Sequence, residues 1–344
     1  MELTPRKQAV LKAIVKAYIE TGEPVGSKNL TYLLENAPSS ATLRNEMSEL
    51  CELGLLSQPH TSAGRVPTNK GYSFYINSLM VPSAVNEQSA EFIKSVVADI
   101  NTEPESIPAI AAETLSRLTG LPTVACVITE KIPRIKRIDL LPIGKYSLML
   151  LVITDDGRIR NRVIRAGQNF NNEARECFLN IIDQKVKGKI VSELNKAYMQ
   201  SVIAAAGAHA LDIMPILTAV FETVSEIESA KVVLKGESIL YNMCSSELTA
   251  RRIISLFKRP EHLTSILEKI DGNIGALFGS DTNYEELQNT AIIAARFSGG
   301  DKYSGFIGVI GPNRISYEQI MPYTQYTAKI LTDIMTKAQK EMEE

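Results

Sequence analysis

Apolar residues near the start of the chain recur at the spacing of an α-helix. Their common face predicts an amphipathic first helix that ends near Gly22, and Ser27 caps a shorter second helix that ends near Leu34. The apolar face of the first helix consists of Val10, Leu11, Ile14, Val15, Tyr18 and Ile19. Both helices precede the most informative stretch of the sequence.

Residues 39–72 predict a third helix, a hairpin and the start of a fourth helix. The hydroxyl of Ser39 or Ser40 caps the third helix, and Gly54 ends it. Its apolar face, set by spacings of four and three residues, consists of Leu43, Met47 and Leu50. Residues 59–64 are rich in Pro, Ser and Gly and form the tip between two short strands. Three helices followed by such a wing are the outline of a winged helix-turn-helix.

The charges of residues 1–80 are nearly balanced, with eight Lys and Arg against seven Asp and Glu. Net charge alone therefore does not indicate a nucleic acid partner. No acidic residue occurs from Leu53 to Asn86, however, so the wing can approach phosphates without like-charge repulsion. The predicted DNA contacts in and after the wing are His60, Thr61, Ser62, Arg65 and Lys70.

The first turn of the third helix carries side chains suited to reading bases. Arg44 can form two hydrogen bonds with guanine, Asn45 two with adenine, and Thr42 can contact a thymine methyl group. Ser39 and Ser40 complete the predicted contacts at this helix start. Only this turn is expected to enter the major groove, since acids follow it that should face away from the duplex: Glu46, Glu49 and Glu52. The alternative is that Arg44 and Asn45 are ordinary solvated helix residues.

The rest of the chain predicts a mixed architecture. A linker at residues 81–83 leads into two helical patterns and then into closely spaced strands at 123–129, 134–142, 146–154 and 158–166. These strands are expected to begin one antiparallel sheet, with Asp155-Asp156-Gly157 as a hairpin turn. Residues 173–270 then favour helices, apart from a strand near 231–234. Strands return at 274–278, 290–298 and 305–310, before a final helix at 316–340. A sheet interrupted in this way predicts an inserted domain.

Composition limits the number of domains and the class of protein but does not indicate a function. The chain has 344 residues, of which 44% are hydrophobic, and a net charge of −2, so it can bury a substantial core in two or three domains. No apolar run approaches the roughly 20 residues that span a bilayer, and the start does not resemble a signal peptide. We therefore expect a cytoplasmic protein without a membrane partner. Four cysteines without paired spacing predict free thiols, mostly buried.

The sequence also has no pattern typical of catalysis. It contains no Gly-x-Gly-x-x-Gly loop and no Walker A lysine. Its three histidines, His60, His209 and His262, have no carboxylate or cysteine at ligand spacing. We expect no enzyme activity, no cofactor and no metal.

Several segments of the winged region resemble one protein family. They are Ser39 to Met47, His60 to Thr68 and Lys70 to Tyr72, with Pro24-Val25-Gly26-Ser27 before them. Together they are similar to HrcA, a family of bacterial heat-inducible transcription repressors. A weaker marker follows at Gly308-Val309-Ile310-Gly311-Pro312. Ser73 and Cys51 depart from the family pattern, in which Arg and an acidic residue are usual.

The resemblance implies an α+β multidomain fold, in which a winged helix-turn-helix is followed by a GAF-like antiparallel-sheet domain that carries an inserted dimerisation domain. We expect the DNA-binding domain at 1–80, the GAF-like domain at 81–186 and 272–344, and the insertion at 187–271. The resemblance also implies a negative regulator of heat-shock genes that binds the CIRCE inverted repeat in double-stranded DNA, with the GroE chaperonin as a partner. A homodimer suits an inverted repeat, because one winged module reads only a few base pairs.

A transcription regulator that senses a small molecule is the alternative, because GAF-like folds often bind ligands. Arg158, Arg160 and Arg162 alternate along a predicted strand and so share one face, which could attract an anion. The plainer interpretation of the same arginine row is a solvated sheet face.

Overall fold

The computed structural model describes residues 3–60, 63–98, 106–129, 133–144, 146–165, 170–225, 227 and 230–343. The chain divides into two compact units. The first, here called the main unit, comprises Met1–Val127 and Val232–Glu344. The second, here called the inserted unit, is Ile128–Lys231.

The main unit begins with the predicted winged helix-turn-helix. Its elements are α1 (Pro5–Thr21), α2 (Ser27–Leu33), α3 (Ser40–Glu52), β1 (Leu56–Ser57), β2 (Val66–Pro67) and α4 (Asn69–Phe74), which continues as a π-helical turn (Tyr75–Leu79). Gly22 ends α1 in the left-handed conformation, with a φ of 74°, as the sequence predicts. Leu56 pairs with Pro67 and Ser57 with Val66, so the wing is a short antiparallel hairpin.

The remaining helices and strands follow the predicted segments to within a few residues. In chain order they are α5 (Glu87–Ala98), α6 (Ile107–Thr119), β3 (Thr123–Thr129), β4 (Ile135–Pro142), β5 (Ser147–Thr154), β6 (Ile159–Arg165), α7 (Asn172–Ile181), α8 (Lys196–Ala204), α9 (Ala210–Ser225), β7 (Ala230–Lys235), α10 (Glu237–Met243), α11 (Glu247–Phe257), α12 (Pro260–Leu267), β8 (Ile274–Phe278), β9 (Thr290–Gly299), β10 (Tyr303–Pro312) and α13 (Tyr317–Glu343). The fold after the wing is thus a mixture of helices and antiparallel strands, as expected.

A five-stranded sheet forms the second part of the main unit, in the order β7-β3-β10-β9-β8. β9 pairs antiparallel with both β8 and β10, with Ile292 opposite Leu277 on one side and Ile310 on the other. The long helix α13 packs against β9 and β10. Alternate residues of β9 point to the same face of the sheet and share a buried core with this helix: Ile293, Ala295 and Phe297.

The borders of the insertion differ from those expected. We predicted one sheet from residue 123 to 166 and an insertion at 187–271, but only β3 joins the main sheet, whereas β4, β5 and β6 form a separate three-stranded sheet. The inserted unit is Ile128–Lys231, and α10, α11 and α12 belong to the main unit. Strand periodicity predicts where strands lie but not which strands pair. Three consecutive residues of β3 are buried: Val124, Ala125 and Cys126. Consecutive buried residues indicate a strand inside the sheet, because both of its faces are covered.

The inserted unit packs its three-stranded antiparallel sheet on helices. Ile138, Leu140, Leu150 and Val152 of β4 and β5 face a buried core that α7 and α9 complete. The turn between β5 and β6 is the predicted one, with Gly157 at a φ of 89°. On β6 the side-chain alternation places Ile159 and Val163 outward, where they are 56% and 63% exposed.

The winged domain and the five-stranded sheet share one core. Tyr72 of α4 stacks on Phe278 at the end of β8, with ring centroids 5.8 Å apart, and lies 5.7 Å from the ring of Tyr317. All three rings are almost completely buried. The winged domain is therefore not a closed module ending at residue 80, because one side of α4 is covered by residues from the far end of the chain.

The four cysteines and the possible metal ligands are the side chains with chemistry of their own. Cys126 is buried, and burial raises the pKa of its thiol to about 12. Cys51, Cys177 and Cys244 are free and only half-buried, so the expectation of mostly buried thiols was wrong. Over the described ranges, no group of three His, Cys, Asp or Glu side chains could hold a metal ion.

Within the part of the chain that the structure describes, no single helix is long and apolar enough to cross a membrane. One pair, Lys196–Ala204 with Gly207–Ser225, passes on length and composition together but is bent by 117°.

Replacing Tyr72 by alanine should lower the free energy of unfolding by about 3 to 5 kcal/mol, because it empties the space between Phe278 and Tyr317. Tyr72→Phe is the matched control. The buried Tyr72 hydroxyl has no hydrogen-bond partner among the described residues, so its removal should leave stability unchanged or raise it. Urea denaturation of the full chain measures both. A loss of several kcal/mol in Tyr72→Phe would contradict this assignment.

Candidate DNA-binding surface

Helix α3 is held to the winged domain by its apolar stripe and by a cap at its start. Leu43, Met47 and Leu50 are buried, as predicted. The Ser39 hydroxyl accepts a hydrogen bond from the Thr42 backbone N–H at 3.2 Å and lies 3.0 Å from the Thr42 hydroxyl. Ser39 is thus the N-cap, and the orientation of the first turn is defined.

The second serine at this helix start has a different role. The hydroxyl oxygens of Ser40 and Ser27 lie 2.9 Å apart, which links the start of α3 to the start of α2. Ser27 was predicted to cap α2, but Gly26 occupies the cap position and α2 has no side-chain cap. The two serines therefore hold the two helices of the helix-turn-helix together instead of satisfying helix ends.

Arg44 and Asn45 project from the opposite side of α3 to its buried stripe. Both residues are exposed, and their side chains make no hydrogen bond or ion pair with any residue that the structure describes. Thr42 lies beside them and is half-buried. The structure therefore brings the three predicted base-reading residues together on one exposed turn.

We expected the acids further along α3 to face outward, away from the duplex. Two of them instead contact basic residues of α1. The Lys7 ammonium of α1 lies 2.7 Å from the Glu49 carboxylate and 3.7 Å from that of Glu46. Arg6 lies 3.6 Å from Glu46, whose side chain is only 13% exposed. The hydrogen bond to Glu49 raises the pKa of Lys7. Two of the acids are thus turned toward α1 and neutralised there, which reduces their repulsion of DNA phosphates.

The wing is attached to the helices through its second strand. The backbone groups of Arg65 and Val25 exchange two hydrogen bonds of 2.9 Å each. A Cβ atom on Gly64 would lie 2.4 Å from the Val25 carbonyl, so this approach of two backbones requires glycine. Arg65 is half-buried, and its Nε donates a hydrogen bond to the Cys51 Sγ at 3.1 Å. His60 is exposed at the tip, whereas Thr61 and Ser62 lie outside the described residues.

Lys70 lies at the far end of α3 from the base-reading turn. Its ammonium donates a hydrogen bond to the Leu53 carbonyl at 2.9 Å, and the Thr68 hydroxyl donates one to the Gly54 carbonyl at 2.7 Å. These bonds satisfy carbonyls that the end of a helix leaves free. Lys70 thus has a structural partner, and its contact with DNA stays a prediction.

One cation of this surface was not singled out from the sequence. Lys28 is exposed in the first turn of α2, next to Ser27. Because Ser27 contacts Ser40, Lys28 lies beside the start of α3. A lysine next to a helix start has no periodic signal in the sequence. Only the contact between the two helices shows its place on this surface.

The arginine row considered as an anion site belongs to the inserted unit. Arg160 and Arg162 share one side of β6, and Arg158 lies just before this strand; all three are half-buried, so they do not form a solvated face. The Arg158 guanidinium lies 3.0 Å from the Asp156 carboxylate, and Arg162 is paired with Glu222 of α9. Two of the three charges are thus matched by acids of the same unit, so the row gives little support to a ligand-sensing regulator.

Two family descriptions match most of the chain. Residues 2–79 match "Winged helix-turn-helix transcription repressor, HrcA DNA-binding", and residues 106–321 match "HrcA protein C terminal domain". The second match spans the five-stranded sheet of the main unit and the three-stranded sheet of the inserted unit.

Curated relatives and a solved structure agree with these matches. A heat-inducible transcription repressor HrcA of Acetivibrio thermocellus is 30% identical over 331 residues, which cover 95% of this chain and 94% of the relative. The heat-inducible transcription repressor HrcA of Lysinibacillus sphaericus is 29% identical over 344 residues, which cover 98% of this chain and 100% of the relative. A crystal structure described as that of a hypothetical protein has the same fold, with 23% identity, a TM-score of 0.58 and coverage of 98% and 99%. This chain belongs to the HrcA family of winged helix-turn-helix transcription repressors.

Proposed function

We propose that this protein is a heat-inducible transcription repressor that binds an inverted repeat of the CIRCE type as a homodimer. The observation that carries the proposal is the exposed N-terminal part of α3, where Arg44 and Asn45 have no partner among the described residues while Glu46 and Glu49 behind them are paired with α1. A repressor acts by binding, so we propose no catalytic activity. Its place is then the cytoplasm, on the nucleoid.

Base recognition is assigned to the first turn of α3. The Arg44 guanidinium can donate two hydrogen bonds to guanine in the major groove, and the Asn45 amide can pair with adenine. The Thr42 methyl group can contact thymine. The cap by Ser39 supports this assignment, because a turn whose backbone is fixed presents its side chains in one orientation.

Phosphate contacts are assigned to residues on either side of this turn. Lys28 belongs to the start of α2, which contacts the start of α3 through Ser27, and Arg65 immediately precedes the second strand of the wing. Only the Nε of Arg65 is used by Cys51, so the two terminal amino groups of its guanidinium can meet a phosphate. The remaining proposed contacts are Ser40, His60, Thr61, Ser62 and Lys70.

The inserted unit is assigned to dimerisation. One face of its sheet bears six apolar residues that are half-buried or exposed, with Arg137, Asp139 and Asn161 among them: Leu141, Met149, Leu151, Ile153, Ile159 and Val163. They form neighbouring rows, because Met149 pairs with both Leu141 and Val163, and Ile153 pairs with Ile159. An apolar sheet face of this kind is costly in water and suits a second copy of itself.

The GroE chaperonin is a partner that the family resemblance implies. The exposed apolar face of the inserted unit supports this assignment. Partly unfolded or unpaired chains with such a surface aggregate on heating, and chaperonins counter this hazard. A repressor that needs such help to stay active loses activity when heat diverts the chaperonin to other proteins.

Arg44→Ala and Asn45→Ala should each weaken binding to the preferred duplex by about 1 to 3 kcal/mol and relax the preference at one base position. Arg44→Lys keeps the charge but loses the two-pronged hydrogen bond, so it should lose base preference while keeping the salt dependence. Titration of the variants against duplexes with single base changes measures both effects.

The matched control for Arg44 is Arg117→Ala. Arg117 is an exposed arginine of α6, outside the winged domain, and its loss should not alter base preference. Full sequence preference in both Arg44→Ala and Asn45→Ala would show that α3 is not the reading helix.

Arg65→Ala should weaken binding to all duplexes alike and reduce the slope of log affinity against log salt by about one, because it removes one phosphate contact. Cys51→Ala removes the acceptor of the Arg65 Nε but keeps the charge, so the salt slope should be retained. If the two variants behave identically at every salt concentration, Arg65 only braces the wing. A loss confined to one base position would place Arg65 in a groove.

Val163→Lys should convert the protein to monomers and weaken binding to an inverted repeat by roughly 100-fold, while a single half-site is bound as before. Leu211→Lys is the matched control, since Leu211 is 82% exposed in the same unit but lies on α9 and not on the sheet. Sedimentation and DNA titration give the two readouts. If Leu211→Lys dissociates the dimer and Val163→Lys does not, the pairing surface lies on α9.

A further inference from the structure

The winged domain is fastened to the five-stranded sheet by polar contacts around the buried rings of Tyr72, Phe278 and Tyr317. Asn69, the first residue of α4, uses both ends of its amide. Its Nδ2 donates to the Ser280 hydroxyl at 2.6 Å, and its Oδ1 accepts from the Asn313 Nδ2 at 2.8 Å. The wing side of the domain is thus tied to the loops after β8 and β10.

A second set of contacts ties α1 and α4 to the start of α13. The Tyr75 hydroxyl donates to the Glu318 carboxylate at 2.7 Å, and the Lys16 ammonium lies 2.9 Å from the same oxygen. Burial would raise the pKa of Glu318, but these two partners outweigh it and hold the pKa below its usual range. One carboxylate therefore joins three helices.

A third contact lies at the end of α1. The Arg314 guanidinium packs against Gly22, where an added Cβ atom would be 2.5 Å from its Nη1. The backbone at Gly22 is also left-handed, a conformation that favours glycine. Both the close contact and the backbone conformation therefore favour glycine at this position. The C-terminal end of α1 is thereby placed against the loop before α13.

These contacts bear on α3 through α1. Lys16 binds Glu318 at one part of α1, and Lys7, more than two turns earlier, binds the acids of α3. Helix α1 is therefore a rigid connection between the sheet domain and the reading helix. We name the six polar residues that hold it and α4 the seam: Lys16, Asn69, Tyr75, Ser280, Asn313 and Glu318.

We propose that the seam determines which spacing of half-sites the protein accepts, although none of its residues contacts DNA. The inference rests on the proposed binding of an inverted repeat by a dimer. In such a dimer two reading helices must enter major grooves one helical turn or a multiple of it apart, so their orientation relative to the body of each subunit selects the spacing. A fixed orientation favours one spacing, and a loosened one accepts several.

The test compares one double variant and one control variant with the wild-type protein on a series of duplexes. Tyr75→Phe combined with Asn69→Ala removes seam hydrogen bonds and leaves the buried aromatic ring in place. The matched control is Tyr72→Phe, which removes a hydroxyl that has no partner among the described residues. The duplexes are one half-site and inverted repeats whose spacer is shortened or lengthened by one or two base pairs.

In the seam variant the preference for the best spacer over one changed by two base pairs should fall roughly tenfold, because three hydrogen bonds are lost and one of them is to a carboxylate. Half-site affinity should stay at the wild-type value, and Tyr72→Phe should keep the wild-type spacer profile. Circular dichroism confirms that both variants are folded before the titrations.

An unchanged spacer profile in the seam variant would overturn the inference, and so would an equal loss of affinity for every duplex including the half-site. A wild-type protein that binds repeats but favours no spacing would overturn it while leaving the proposed function intact. Failure of the wild-type protein to bind any inverted repeat would instead overturn the proposed function.

Discussion

The burial of Tyr72 between Phe278 and Tyr317 is the constraint on which the main unit depends. These rings come from α4, the end of β8 and the start of α13, so the winged domain and the sheet share one hydrophobic core. A core of this kind transmits position better than a flexible linker, because close-packed side chains have few alternative arrangements. The reading helix is consequently part of the body of the subunit and not a tethered module.

Electrostatics in this protein act locally. Residues 1–80 are almost neutral, and the acids of α3 would repel a phosphate backbone if they were free. Lys7 and Arg6 of α1 lie against Glu46 and Glu49, so the negative charge is matched within the domain. The first turn of α3 then presents Arg44 without a competing carboxylate. A small net charge is compatible with DNA binding when the charges are sorted in this way.

Strand β6 of the inserted unit reverses the usual arrangement of a two-faced sheet, whereas β4 and β5 keep apolar residues on the buried side. On β6 the arginines lie on the half-buried side, where Arg162 pairs with Glu222, while Ile159 and Val163 face outward. An outward apolar face is stable in a soluble protein only when something covers it. The reversal therefore supports a second copy of the chain as the occupant, and the arginine row gives little support to a ligand site.

The sequence by itself determined the elements and the exposed N-terminal part of α3, to which base reading is assigned as a proposal. The period of Leu43, Met47 and Leu50 and the turn glycine at Gly54 are local signals, and each was found in the structure where it was predicted. Tertiary structure decided which strands pair, which side of β6 is covered, and the partners of Ser27, Arg65 and Lys70. Local periodicity records which positions are apolar, but a hydroxyl, a guanidinium or a strand edge finds its partner across the chain. That choice depends on packing between segments that are distant in sequence.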